Sequence, residues 1–423
     1  MVGGRATLAV DPRALDHLAA GRRVAVVSGT NGKTTTTSLL AAALATSGPV
    51  ATNLQGANLP PGLAAALAGA PPGGLAALEV DEAWLGRVVD ATRPAVAVLL
   101  NLSRDQLDRN NEVRHLAASW RATFAGRPAT TVVANADDPL VVHGAGAADH
   151  VVWVGAGQPW TADASGCPRC GNRVLFGDEA APVGSEVEAG GAAAADAGAG
   201  ARAADPGVAW RCSVCDLRRP PLAVRIDHDG TTTTVRSTDG WAVPLSLALP
   251  GRANRANAAL ALAAAARLGV DPAAAAAALA RTAEVVGRYR TVAARGADAR
   301  LLLSKNPAGW LEVLDVLAPP PAPVVVAINA RIADGRDPSW LWDVPFERLA
   351  GRRVVATGER SRDLAVRLHY AEVDHVRVDD LLEAVAVAAA DPAAATASGR
   401  PAVDVVGNYT AFQQLRSRLG VGA

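Results

Sequence analysis

The feature that most constrains the fold of this chain is a glycine-containing loop between an apolar run and a helical run. Residues 23–29 read Arg-Val-Ala-Val-Val-Ser-Gly, which is typical of a buried β-strand. The loop Gly-Thr-Asn-Gly-Lys-Thr-Thr spans residues 29–35, and residues 35–47 have the pattern of a helix that stops at Gly48 and Pro49. A strand, such a loop and a helix open an α/β sheet, and the backbone N–H groups at the helix N-terminus bind anions.

Lysine usage assigns a phosphate-binding role to this loop. The chain has 41 basic residues, and only Lys33 and Lys305 are lysines. Lysine is a compact point charge on a thin stem, whereas the arginine guanidinium is a broad fork that a loop wrapped around a phosphate does not accommodate. The sequence therefore predicts that Lys33 contacts the outer phosphates of a nucleotide and that Thr34 binds Mg²⁺. An ordinary glycine turn is the alternative.

Apolar, strand-like runs alternate with Ala- and Leu-rich helical runs along most of the chain. This alternation predicts an α/β protein whose main sheet is largely parallel and covered on both faces. The strand-like runs are residues 75–80, 95–100, 131–134, 150–154, 300–303, 323–328, 353–356 and 403–406. We expect a central domain, residues 1–295, with an insertion at about 160–220, and a smaller C-terminal α/β domain, residues 296–423.

Charge and hydropathy exclude several classes of protein. Acidic and basic residues balance at 41 each, so no global basic field favours nucleic acid. No apolar run approaches the roughly 20 residues of a membrane span. Residues 1–11 lack the basic start and apolar core of a signal peptide, so we expect a cytoplasmic protein.

The four cysteines form two Cys-x-x-Cys pairs, Cys167 with Cys170 and Cys212 with Cys215. Paired turns of this kind bind tetrahedral Zn²⁺ through four thiolates, which predicts a structural zinc ribbon. Residues 184–207 between the pairs are mostly Ala, Gly, Asp and Glu, and we expect a loop there. Disulfides or redox pairs are the alternatives, and a cytoplasmic location disfavours disulfides.

The shortened phosphate loop resembles that of the Mur ligase superfamily, whose members join an amine to a carboxylate with ATP. Further segments resemble superfamily motifs in chain order. They are Leu78-Glu79-Val80, residues 101–109, residues 135–139, residues 251–257, Gly287-Arg288 and Asn306-Pro307. The resemblance covers most of the chain outside residues 160–220. It implies a P-loop Mur ligase central domain carrying the inserted ribbon, followed by the smaller C-terminal domain.

The same resemblance implies roles for individual residues. Glu79 would hold Mg²⁺ with Thr34, although a solvated acid at a strand end is the alternative. The residues implied to bind ATP are Gly29, Thr30, Asn31, Gly32, Lys33, Thr34, Thr35, Asn254, Asn257, Arg288 and Asn306. Helix capping is the alternative for Asn254 and Asn257.

Three departures narrow the resemblance to one branch. The loop begins near residue 28, so we expect no leading UDP-sugar domain. No lysine lies between Lys33 and Lys305 to serve as a carbamoylated metal ligand, and Gln106 stands where many members have a metal-binding His. All three departures are similar to those of the MurT branch, the synthetase subunits of lipid II isoglutaminyl synthase. Residues 52–58, 79–82, 104–109, 305–309, 333–343 and 408–411 also resemble that branch.

This branch implies ATP-dependent amidation of the D-glutamate α-carboxyl in the lipid II stem peptide, through an acyl phosphate, to give D-isoglutamine. All four cysteines belong to the predicted zinc pattern, so none remains as the thiolate nucleophile that glutamine hydrolysis normally needs. We therefore expect ammonia from a separate glutaminase subunit, which the resemblance identifies as GatD in a heterodimer. Lipid II implies work at the inner face of the cell membrane.

The resemblance also implies that this subunit lends an Asp to the Cys–His pair of the glutaminase. The candidates are Asp343 and Asp337. Exposed tryptophans at Trp340 and Trp342 would suit the core of that interface, and burial within the chain's own domain is the alternative.

Two other functions stay open at this point. A ligase that adds an amino acid, as folylpolyglutamate synthases do, would share the fold and the ATP chemistry but would depend on glutamate and not on ammonia. A nucleotide-binding zinc scaffold would hydrolyse ATP poorly and without stimulation by a carboxylate.

Overall fold

A nine-stranded sheet organises the first part of the chain. The computed structural model describes residues 2–53, 57–104, 113–180, 209–282, 289–397 and 399–419. The strands of this sheet, numbered in chain order, are β1 (Arg23–Ser28), β2 (Val50–Thr52), β3 (Leu75–Glu79), β4 (Val96–Leu99), β5 (Thr131–Asn135), β6 (His150–Val154), β9 (Val224–His228), β10 (Thr233–Ser237) and β11 (Ala242–Pro244). Their spatial order is β11-β10-β9-β6-β5-β4-β1-β3-β2. The strands from β2 to β9 in this order pair in parallel, and β10 and β11 add antiparallel pairs at one edge.

Helices cover both faces of this sheet. The helices are α1 (Val2–Val10), α2 (Ala14–Ala19), α3 (Lys33–Leu44), α4 (Pro60–Ala68), α5 (Leu85–Thr92), α6 (Val113–Phe124), α7 (Pro139–Ala145), α8 (Arg252–Arg267) and α9 (Pro272–Ala280). Because successive side chains of a strand point to opposite faces, β1 contributes to two cores. Ala25 and Val27 pack on the side of α3, α8 and α9, and Val24 and Val26 pack on the side of α4 to α7. A strand buried on both faces needs the continuous apolar sequence that β1 has.

A six-stranded sheet organises the second part. Its strands are β12 (Tyr289–Ala294), β13 (Ala297–Leu303), β14 (Val324–Ala327), β15 (Val354–Thr357), β16 (His375–Arg377) and β17 (Ala402–Gly407), in the order β12-β13-β17-β14-β15-β16. All pairs are parallel except β12 with β13. The surrounding helices are α10 (Pro307–Leu314), α11 (Ser361–Tyr370), α12 (Leu381–Ala389) and α13 (Tyr409–Arg418). The predicted α/β class, with largely parallel sheets, is confirmed.

The inserted segment forms a small hairpin of its own. Strands β7 (Val174–Phe176) and β8 (Trp210–Cys212) pair antiparallel. Trp210 anchors the hairpin to the large sheet, because its indole N–H donates to the carbonyl of Ala136 at 3.0 Å. The loop predicted at residues 184–207 lies outside the described residues.

The predicted domain boundary between residues 295 and 296 stays a prediction. It falls between β12 and β13, two strands hydrogen-bonded to each other in the second sheet. We therefore propose that the second unit begins at Tyr289. Among the described residues, none of the helices has both the length and the apolar character needed to span a bilayer.

Candidate functional site

The glycine loop joins the carboxyl end of β1 to the first turn of α3. Gly29 and Gly32 have φ angles of 147° and 84°, which side-chain-bearing residues rarely adopt. A Cβ atom on Gly32 would lie 2.6 Å from Oδ1 of Asn257 on α8. Both the backbone conformation and the close approach of α8 thus require glycine at this position.

Lys33 folds back over its own loop. Its ammonium donates to the carbonyl oxygens of Gly29 at 2.5 Å and Thr30 at 3.3 Å. It also forms an ion pair with Oε2 of Glu82 at 2.9 Å. The side chain of Lys33 is 5% exposed and that of Glu82 is 13% exposed, so the pair is largely shielded from water.

The strand next to β1 fixes the loop. Asn101 follows β4, and its Oδ1 accepts from the backbone N–H of Asn31 at 2.9 Å, while its Nδ2 donates to the Asn31 carbonyl at 3.1 Å. The hydroxyl of Thr30 accepts from the backbone N–H of Ser103 at 3.0 Å and donates to its carbonyl at 3.1 Å. The carboxyl ends of neighbouring parallel strands meet at one edge, where ligands of α/β sheets bind.

An acidic segment follows β3 at the same edge. Glu79 is buried, and its side chain accepts from Nδ2 of Asn58 at 3.3 Å, the one hydrogen bond to this carboxylate among the described residues. A buried carboxylate with so few donors fits an oxygen-seeking cation such as Mg²⁺. Burial, and then the charge of Glu82, raise the pKa of Asp81 above its ordinary value.

Helix α8 lines the other side of the loop. Asn254 donates to the carbonyl of Pro250 at 2.6 Å, and Asn257 lies against Gly32. Neither side chain caps α8, whose N-cap residue is Gly251. A cavity of about 100 Å³ lies between α8, the loop and the second unit. Its lining includes Asn31, Gly32, Thr35, Asn254, Asn257 and Lys305.

The second unit reaches the loop through Asn306. The amides of Asn31 and Asn306 donate to each other's oxygens at 3.2 and 3.3 Å. Asn306 also caps α10, because its Oδ1 accepts from the backbone N–H of Gly309 at 2.8 Å. The sequence assigned Asn306 to the nucleotide site, and the structure brings it into contact with the phosphate loop.

The aspartates predicted to serve a partner lie on the surface of the second unit. Asp343 is 42% exposed and lies 3.6 Å from the guanidinium of Arg104 in the first unit. Asp337 is exposed and accepts from the backbone N–H of Ser339 at 2.8 Å. The predicted exposure of Trp340 is wrong, because this ring packs in the core of the second unit. Trp342 is 55% exposed, as predicted.

The four cysteines converge as predicted. Their sulfur atoms all lie within 4.8 Å of one another, with Cys167 to Cys215 at 3.6 Å and Cys170 to Cys212 at 3.5 Å. Four sulfurs about 2.3 Å from a central ion would be about 3.8 Å apart, so the set could hold one tetrahedral metal ion. No disulfide joins these cysteines. Hydrogen bonds from Asn172 lower the pKa of the Cys170 thiol to about 6, and burial raises the pKa of Cys167 to about 12.

Two predicted residues are not described by the structure, and two residues that contact the loop were not assigned a role. Arg288 and Gln106 lie outside the described residues. Glu82 and Asn101 make the direct contacts to the phosphate loop described above. Both lie in motif-like segments, residues 79–82 and 101–109, but sequence analysis assigns neither of them a role. Both residues lie within three positions of the carboxyl end of a strand, β3 or β4, and polar residues at such strand ends are the signal that could have identified them.

Comparison with known proteins gives two family matches. The Mur ligase middle domain family matches residues 27–159, and the MurT ligase C-terminal family matches residues 303–412. The chain is 30% identical over 386 residues to the lipid II isoglutaminyl synthase (glutamine-hydrolyzing) subunit MurT of Streptococcus pneumoniae (strain ATCC BAA-255 / R6), a match that covers 86% of this chain and 80% of that protein. It is 28% identical over 369 residues to the subunit of the same name from Staphylococcus aureus (strain COL), covering 83% and 78%.

The fold is also similar to that of solved structures. A pseudomurein peptide ligase type C from Methanothermus fervidus superposes with a TM-score of 0.66 at 18% identity. This match covers 95% of the present chain and 78% of the ligase. At this identity the likeness concerns the fold alone.

Proposed function

Because the chain belongs to the MurT family of Mur ligases, we propose that it is the synthetase subunit that amidates the D-glutamate α-carboxyl of the lipid II stem peptide. The product would be D-isoglutamine. The observation that carries this proposal is the meeting of the Lys33 loop, the Glu79 edge and Asn306 of the second unit at one cleft. Access to lipid II would bring the protein to the inner face of the cell membrane.

The nucleotide site is proposed at the loop and its neighbours. Backbone N–H groups of residues 32–35 and the Lys33 ammonium would bind the phosphates of ATP, since a helix N-terminus and a compact cation suit this charge. Gly29, Thr30 and Asn31 would shape the loop around them. The amides of Asn254 and Asn257 border the adjoining cavity, and Asn306 contacts Asn31 of the loop. All three would contact the nucleotide, with Arg288 as a further candidate. Thr34 and Glu79 would hold Mg²⁺, which supplies charge neutralisation at the phosphates.

The reaction needs an activated carboxyl group. A carboxylate oxygen of the substrate attacks the γ-phosphorus of ATP, the bond to the ADP oxygen breaks, and an acyl phosphate forms. Ammonia then attacks the acyl carbon, phosphate leaves with the bonding electrons, and a proton lost from nitrogen completes the amide. The contribution of this chain is positioning and electrostatic stabilisation, which dominate catalysis of phosphoryl transfer.

Ammonia is proposed to come from a GatD-type glutaminase in a heterodimer. The four cysteines cluster in the inserted ribbon, where we propose that they bind a structural Zn²⁺ and take no part in glutamine hydrolysis. Exposed Asp343 and Asp337 would be the carboxylates offered to the Cys–His pair of the partner. Trp342 packs edge-to-face on Tyr370, at a centroid distance of 5.5 Å, and this exposed aromatic pair suits the interface core.

The experiment that tests this function is co-purification of the chain with its glutaminase neighbour, followed by assay of ADP release with lipid II. We expect turnover with glutamine in the complex and with ammonium salts in the isolated chain. ADP release that depends on glutamate as the acceptor would instead identify an amino-acid-adding ligase. Slow ATP hydrolysis without stimulation by lipid II would identify a nucleotide-binding scaffold.

A further inference from the structure

The ion pair between Lys33 and Glu82 assigns Glu82 a task beyond the residues considered above. We propose that Glu82 is a positioning residue. It holds the Lys33 ammonium against the loop until a nucleotide phosphate replaces the Glu82 carboxylate as the counter-ion of Lys33. This inference rests on the proposed function, because it requires that the loop bind a nucleotide.

The geometry makes Glu82 and a bound phosphate compete for the Lys33 ammonium. Lys33 Nζ lies 2.9 Å from Glu82 Oε2 and also bonds to the carbonyl oxygens of Gly29 and Thr30. These carbonyl groups belong to the same loop whose backbone N–H groups would surround the phosphates. An ammonium turned toward them must reorient before it can contact an anion bound by the loop.

The pair is strong enough to hold Lys33 because it is shielded from water. At 5% and 13% exposure, the attraction between the two charges is screened far less than at a surface. Among the described residues, Lys33 is the one hydrogen-bond donor to the Glu82 carboxylate. The backbone of Glu82 is fixed separately, because the indole N–H of Trp120 donates to its carbonyl at 3.1 Å. The side chain can therefore release Lys33 without a change in the fold of this segment.

The replacement of Glu82 by a phosphate determines the direction in which Glu82 changes nucleotide affinity. A bound phosphate takes Lys33 as its counter-ion and leaves a carboxylate beside a phosphate, where like charges repel. Glu82 thus opposes nucleotide binding both by competing for Lys33 and by its own charge. Removing the charge of Glu82 should tighten nucleotide binding while it destabilises the nucleotide-free protein, in which Lys33 loses its ion pair with Glu82.

The test measures ADP affinity calorimetrically in the full chain without Mg²⁺, in the wild type, Glu82→Gln and Asp81→Asn. We expect Glu82→Gln to bind ADP about 10-fold more tightly, the size typical of one charge-assisted hydrogen bond. Its nucleotide-free melting temperature should fall and should recover when ADP is added. Asp81→Asn removes a neighbouring charge and keeps the Lys33–Glu82 pair, so the ADP affinity of this variant should change by less than about 3-fold, because no hydrogen bond to Lys33 is lost.

Three outcomes would overturn the inference. The first is unchanged or weaker ADP binding by Glu82→Gln, which indicates a purely structural carboxylate or a metal ligand. The second is equal tightening by Asp81→Asn, which indicates a general field effect. If Glu82→Gln fails to fold, Glu82→Asp serves instead: the shortened acid should also tighten ADP binding, and unchanged affinity would be the third. A wild-type chain that binds no ADP refutes the proposed function itself.

Discussion

At the scale of single residues, Gly32 is the position where backbone conformation and packing coincide most closely. Its φ angle of 84° is costly for any other residue, and an added Cβ would collide with the Asn257 amide on α8. The close approach of Gly32 to Asn257 connects the phosphate loop with α8, so a change at Gly32 disturbs two parts of the proposed nucleotide site at once.

We predict that Gly32→Ala lowers ATP affinity by at least about 10-fold, because a methyl group 2.6 Å from Asn257 Oδ1 displaces either the Asn257 amide or the loop. The matched control is Gly126→Ala. Gly126 has a similar φ angle of 67°, but an added Cβ would meet no atom within 4 Å. Both variants should lose about 1 kcal/mol of stability from backbone strain, and only Gly32→Ala should lose affinity. Equal affinities, measured by calorimetry, would contradict the proposed fit.

At the scale of elements, local sequence patterns account for most of the strands and for their burial. The run at residues 150–154 coincides with β6, and residues 23–29 with β1 and the first loop residue, because a buried parallel strand needs an unbroken apolar run. Helix α1 was not predicted, since its sequence contains Gly3 and Gly4 and has weak helix propensity. Its packing on α4 explains it: a Cβ on Gly4 would lie 1.8 Å from the Pro61 carbonyl oxygen.

The candidate site also contains features that a local sequence pattern predicts and features that it does not. The loop, the strand end at Glu79 and each cysteine pair carry a short motif from which a role can be predicted. The convergence of the cysteines is confirmed, and the roles of the loop and Glu79 stay predictions. The Lys33–Glu82 pair and the Asn31–Asn306 contact join residues that are 49 and 275 positions apart. No local pattern encodes such pairs, because they depend on how strands and units pack.

The cap of α7 gives an element-scale prediction about pH. Burial raises the pKa of Asp138 from 3.8 to about 6, despite hydrogen bonds from the backbone N–H groups of Leu102, Leu140 and Val141. A carboxyl group with a raised folded-state pKa contributes stability that is present below pH 3.8 and lost as the pH rises through about 6. Between pH 4.5 and 7.5, the wild type should lose roughly 2 kcal/mol of unfolding free energy relative to Asp138→Asn. Denaturant titrations of both proteins measure this, and a difference of opposite sign would refute it.

The ribbon gives a second element-scale prediction. Cys170→Ser should reduce the zinc content from one ion per chain to near zero, measured by elemental analysis, because three thiolates rarely form a closed structural site. Amide exchange should rise in β7 and β8, whereas nucleotide affinity should stay within about 2-fold, since no cysteine borders the phosphate loop. A wild-type protein that holds no metal would contradict the assignment.

At the scale of the whole molecule, polar contacts connect the two units on either side of the cleft. Asn31 meets Asn306 at the loop, and Arg104 meets Asp343 at the surface where we propose the partner binds. Arg104 also pairs with Asp163 of its own unit at 2.5 Å, so one guanidinium contacts a carboxylate from each unit. This arrangement connects the proposed synthetase cleft with the proposed glutaminase contact.

We predict that Asp343→Asn, assayed in the complex, lowers glutamine-dependent amidation at least about 100-fold and leaves ammonia-dependent amidation within about 3-fold. The reason is that an orienting carboxylate serves the partner's histidine and not the acyl phosphate. Asp337→Asn is the matched change at the other candidate. If that variant alone loses glutamine-dependent activity, the roles of the two aspartates are exchanged. Equal loss of both activities in Asp343→Asn would indicate a structural residue.

The most direct test of the central claim, that Lys33 binds the nucleotide so that a carboxylate is activated, is the turnover of Lys33→Ala with ATP, lipid II and ammonium ions. ADP release and amidated lipid II, quantified together by chromatography and mass spectrometry, should both fall at least about 100-fold, while the melting temperature shows that the protein is folded. Release of ADP and formation of D-isoglutamine at the wild-type rate would contradict the account.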